Sequence, residues 1–168
     1  MLRAAAIALA GSAVLMLASG STTLAQMKAP STEVDRDLAR LKAATKTFTS
    51  LDAAVAAGYS RDGGRCIDNP PHGAMGFHHK KDALYDDRLD VERPEILVYE
   101  RLTDGTYRLN GVEYVVPFSA WPETKEPPKM MGQSLKPAPS LKIWYLHVWT
   151  GLENPSGVFA DWNPHVKC

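Results

Sequence analysis

The chain has two cysteines, Cys66 near its middle and Cys168 at its last position. An even count in an exported chain points to pairing, and a bond here closes everything from residue 66 to the end into one ring. The C-terminus then has to return to the loop before residue 70. Through lost chain entropy in the unfolded state, such a bond contributes up to about 4–5 kcal/mol, less any strain. It also needs an oxidising compartment. The first residues, "MLRAAAIALAGSAVLMLASGSTTLAQ", supply the route: one charge at Arg3, an apolar run to about Ala18, then small residues leading to Thr23-Leu24-Ala25. This is the layout of a signal peptide cleaved after Ala25, which leaves residues 26–168 as a single domain, periplasmic or secreted. The apolar run is broken at Gly11-Ser12 and is shorter than the roughly 20 residues of a membrane span, so no span is expected after cleavage.

With 19 basic and 19 acidic side chains the chain is close to neutral, and it has no basic run beyond Lys80-Lys81. Nucleic acid is therefore excluded as an expected partner, because phosphate binding needs a dense Lys/Arg face.

From Ser31, Val34, Leu38, Leu41, Thr45 and Phe48 recur at spacings of three and four, which predicts an amphipathic helix. Ser31 makes no full capping box with Val34, while Glu33, Asp35 and Asp37 suit the positive end of the helix dipole. "SLDAAVAAG" predicts a second short helix between Ser50 as N-cap and Gly58 as stop. After Gly64 the pattern changes to "AMGFHH", "EILVYERL", "YRLNGVEYVVPF" and "SLKIWYLHVWT", all read as strands, with a hairpin turn at Thr103-Asp104-Gly105. The expected fold class is α+β, two N-terminal helices packed on an antiparallel sheet. Between Pro117 and Pro139 the sequence is proline-rich and without period. It reads either as a lid over a site or as a strap packed by Trp121, Met130 and Met131.

Three of the five histidines, His72, His78 and His79, lie in "HGAMGFHHKK". Histidine is the common ligand of zinc, copper and iron and the usual proton carrier near neutral pH. Alternation in "IWYLHVW" places Tyr145, His147 and Trp149 on one face, so His147 sits among aromatics and needs a partner for each ring nitrogen. Glu113 and Glu100 are carboxylates set within strands, and such groups need a cation, a donor or a metal. His78, Glu113 and His147 fall on three different strands. Two imidazoles and a carboxylate form a recurrent site for a divalent transition metal (copper, zinc or iron), with Glu100 as fourth ligand or outer neighbour. A metal held there would activate a bound water or oxygen. Two other readings use the same residues: a small-molecule binding module, and a structural polar network with no metal. His79, beside two lysines, is expected to be solvated, and His72 and His165 to be surface residues drawn to one end by the disulfide. Met75, Met130 and Met131 offer soft sulfur to copper but ordinarily fill a core. A haem reading around Met75 and His78 lacks a CxxCH motif. No GxSxG, P-loop or GxGxxG is present.

"GAMGFHH", "PEILVYE", "GVEYVVP" and the tail "LHVWTGLENPSGVFADWNPHVKC" together resemble a family of small exported bacterial proteins of unknown function. His78, Glu113, His147, Trp149 and Cys168 match that family's pattern, whereas His79 stands where a tyrosine is usual. The resemblance singles out the same trio without implying an activity.

Overall fold

The computed structural model describes residues 32–168, so the leader expected over residues 1–25 lies outside the described residues. The described residues open with α1 (Glu33–Thr45), which tightens into a 3₁₀ turn over Lys46–Thr49 and continues into the short α2 (Leu51–Ala56). The capping box falls one residue later than Ser31: the Thr32 hydroxyl accepts from the Asp35 N–H at 3.0 Å, and the Thr32 N–H donates to Asp35 Oδ2 at 3.1 Å. Aspartate serves at the third helical position because its carboxylate reaches back as glutamate's does. Thr32→Ala should therefore lower stability by about 1 kcal/mol, read as a fall in Tm of about 3–5 °C. Ser50 stands at the cap position of α2 but makes no side-chain capping bond, and Gly58, at φ +95°, ends the segment.

The strands are β1 (Ile67–Asp68), β2 (Ala74–Lys80), β3 (Ile96–Arg101), β4 (Tyr107–Pro117), β5 (Lys129–Met130), β6 (Gln133–Ser134), β7 (Lys136–Ala138) and β8 (Ile143–Trp149). Six of them form one antiparallel sheet in the order β1-β2-β3-β4-β8-β7, and β5 pairs only with β6. The β3–β4 hairpin closes at Thr103–Gly105 as the sequence predicts, with Leu102 and Thr106 bonded across the turn. The protein is thus α+β, with its helical segment on one face of the sheet.

On that face Leu41, Ala54 and Tyr59 pack against Leu97, Tyr99, Val112, Tyr114, Leu146 and Val148, all buried. Each such aliphatic side chain contributes about 1.5–3 kcal/mol. Met130, Met131 and Leu135 join this core, with Trp121 packed on it, so the proline-rich segment is a strap on the helical side. Its Trp121 backbone carbonyl accepts from the Trp144 indole at 3.0 Å. The opposite face carries a smaller apolar group of Ile96, Val98 and Val115.

The disulfide joins Cys66 to Cys168, 102 residues apart. The tail leading to it is tied down at several points. Ala74 and Asn163 exchange backbone bonds, the Trp149 indole donates to the Ala160 carbonyl, and Val166 packs with Ala74 and Trp149. Gly73 is required there: at φ +106° its backbone runs so close to the tail that an added Cβ would lie 2.1 Å from the Asn163 carbonyl oxygen.

Candidate functional site

Paired residues of an antiparallel ladder share a face, so the register locates the trio. His78 pairs with Val98 on β3, Ile96 with Glu113 on β4, and Glu113 with His147 on β8. All three side chains therefore stand on the face away from the helices. His78 and Glu113 lie two strands apart and two residues out of register, about 12 Å at the backbone, and their side chains reach over β3 until Nε2 and Oε2 are 3.7 Å apart. That separation is too long for a hydrogen bond. His147 stands directly opposite Glu113, its ring tilted on Trp149 with centroids 4.5 Å apart.

Burial controls the protonation of this group. Desolvation lowers His78 to about 4 and pushes Glu113 up to about 8, the latter helped by the negative charge of Asp161. His147 is held well below the usual imidazole range, first by desolvation and then by neighbouring His78 and Lys136. Both imidazoles are thus neutral near pH 7, the form in which a ring nitrogen can ligate a metal or accept a hydrogen bond. Both ring nitrogens of His147 are fully buried and have no hydrogen-bond partner among the described residues. A wholly buried imidazole ordinarily satisfies at least one of them.

Beside the trio stand Tyr145, which alternation already places on the face of His147, and two groups that sequence reasoning did not single out, Lys136 and Asp161. Lys136 of β7 pairs with Asp161 of the tail, and Asp161 accepts from the Tyr145 hydroxyl at 3.4 Å. Asp161 carried no local signal, since only tail docking brings it to the sheet. It also lines a cleft of about 400 Å³ with His72, Trp162, Pro71 and Pro164. His72 thus borders a cleft at the tail end, whereas His165 is exposed and takes no part in its lining.

Two expectations need correction, and of the two readings left open for the proline-rich segment the structure shows the packed strap. Glu100 does not join the trio: it is ion-paired with Arg108 and accepts from the Lys167 backbone N–H, so it ties the tail to the hairpin. His79 is not solvated but 1% exposed on the helical side, where Nδ1 lies 2.9 Å from the Ser60 carbonyl oxygen and the ring meets Tyr99 and Tyr107 edge-on. The proline-rich strap does not screen the trio, because its methionines enter the opposite core and Lys136 is its contribution to this face.

Among the described residues, no three His, Cys, Asp or Glu side chains converge as they stand in a set that could hold a metal ion. No family model matches the chain, and neither a curated protein nor a solved structure matches it. No helix among the described residues is long and apolar enough to cross a membrane. The disulfide is compatible with an extracellular or periplasmic protein.

Proposed function

We propose that this is an exported domain whose helix-free sheet face binds one divalent transition metal ion through His78 and Glu113, with His147 completing the set. The observation that carries the proposal is the wholly buried His147, both of whose ring nitrogens are unpartnered among the described residues, opposite Glu113 in the ladder. The 3.7 Å between His78 Nε2 and Glu113 Oε2 also fits two ligands on one ion with bonds of about 2.0–2.2 Å. A bound cation would give the imidazole nitrogens an electron-pair acceptor and compensate the buried carboxylate. His147 has to turn toward the pair for this, since the three do not converge unaided. That last fact favours a second reading, in which a small neutral molecule sits between His147 and the pair and hydrogen-bonds to both.

The test is metal analysis of the untagged mature protein, followed by titration with zinc, copper and cobalt, beside His78→Ala and His147→Ala. Stoichiometric metal, or submicromolar uptake, weakened at least about 100-fold in both variants, is the expected result. Folded wild-type protein with neither metal nor tight uptake would overturn the metal reading in favour of the small molecule.

A further inference from the structure

A second cleft, remote in chemistry from the trio, lies between the end of α1 and the β3–β4 hairpin and has a volume of about 440 Å³. Its wall on one side is a single stripe of the helix and its 3₁₀ extension: Lys42, Thr45, Lys46 and Thr49 recur at helical spacing and all line the cleft. Its floor is apolar, made by Leu102, Tyr107 and Leu109. Tyr107 is held in place by edge-on packing against Tyr99 and His79. Arg108 and Thr150 complete the lining, and no acidic side chain contributes to it.

The polar groups here have unused capacity. Lys42 and Lys46 make no ion pair among the described residues. Arg108 alternates with Tyr107 and Leu109 and pairs with Glu100 in the ladder, so its guanidinium stands on the other sheet face, donating through Nη2 to Glu100 and through Nε to Asn110. The Thr150 hydroxyl is buried and has no partner among the described residues. The carbonyl end of α1 contributes only about half a unit of negative charge, against two lysines that make no ion pair among the described residues.

We infer that this cleft binds a small amphiphilic anion, with a carboxylate or sulfonate head against Lys42, Lys46 and the Thr150 hydroxyl and an apolar body on Leu102, Tyr107 and Leu109. The volume suits a body of about ten carbons. An uncharged amphiphile would leave the lysines unanswered, and a small inorganic anion would leave the apolar floor exposed, so both should bind more weakly.

Decanoate, decanol and inorganic phosphate can each be titrated into the isotope-labelled mature protein and followed by amide NMR. Decanoate should shift the amides of residues 42–49, 107–109 and 150–151 saturably, and with higher affinity than the other two probes. Lys42→Glu combined with Lys46→Glu should weaken it at least about tenfold, whereas His78→Ala should leave it unchanged, which separates this site from the trio. Circular dichroism would confirm that the exposed double variant is folded. Decanoate shifts that do not saturate, that map elsewhere or that persist equally in the double variant would overturn the inference. Equal affinity for decanol would do so too, because the head group would then play no part.

Discussion

Replacing both Cys66 and Cys168 by serine is expected to lower the free energy of unfolding by up to about 4–5 kcal/mol, as read by urea denaturation. The bond spans 102 residues and so removes much of the freedom of the unfolded chain. A domain of this size has about 5–15 kcal/mol in all, so the loss would take a large share of it. The damage should also be uneven. The tail between Asn154 and Cys168 is held to the sheet by local bonds at Ala74, Glu100 and Trp149 and by the disulfide at its end. Hydrogen exchange at Ala74 and Asn163 should accelerate well before exchange in β3 and β4. Loss of the tail would also remove Asp161 from Tyr145 and Lys136, so ligand binding at the trio should weaken in the serine variant even where the sheet stays folded. A change in unfolding free energy below about 1 kcal/mol would show that native contacts, not the covalent link, hold the tail.

Stability should fall as the pH rises from about 6.5 to 8, and buried glutamates are the reason. Glu95 is 1% exposed, accepts from the Val115 N–H at 3.0 Å, and is pushed up to about 8 chiefly by desolvation. Glu113 is pushed up to a similar value. A carboxyl whose folded pKa is raised holds its proton in the native state after the unfolded chain has released it. Its burial is therefore best tolerated below 4.5 and becomes costly as pH climbs through 8. His78, lowered to about 4, and His147 act in the other sense, since the unfolded chain takes up their protons below about 6.5. His79, also lowered by desolvation, acts with the other two histidines, so between 4.5 and 6.5 the contributions largely oppose one another. Above 6.5 the histidines are neutral in both states and the two glutamates act alone. At about 1.4 kcal/mol per group per pH unit, the loss reaches at most about 4 kcal/mol by pH 8. Glu95→Gln keeps an acceptor for the Val115 N–H and removes one charge, so it should halve the slope above pH 6.5 and be more stable than the wild type at pH 8.5. Denaturant midpoints across pH 4–9 test this. A parallel profile for Glu95→Gln would mean that Glu95 is already ionised at neutral pH.

The order of elements was largely legible from local patterns. Helix periodicity from Val34 to Thr45, alternation in "IWYLHVW" and the turn at Asp104-Gly105 each reflect forces that act within a few residues. For the same reason the sequence placed His147 with Tyr145 and Trp149. That His78 and Glu113 also share this face follows from pairing register between distant strands, which local alternation does not encode.

His79 shows where local reasoning stopped. Its two lysine neighbours suggested water, yet strand alternation turns it under the helical segment, against Tyr99 and Tyr107. Glu100 and Glu95 have similar sequence surroundings, but Glu100 meets Arg108 whereas Glu95 is buried with a backbone donor. The strap from 117 to 139 read equally well as a lid, until its methionines were seen to fill the helix-side core.

By itself, then, the sequence determined the α+β class, the strand faces and the covalent tie at Cys168, because these depend on residue period and on thiol chemistry. Which face lies under the helices, which carboxylate is paired and which imidazole stands without a partner were decided by tertiary packing. Burial and desolvation belong to neighbours that are distant in the chain, and they exist only once the sheet has closed on its core.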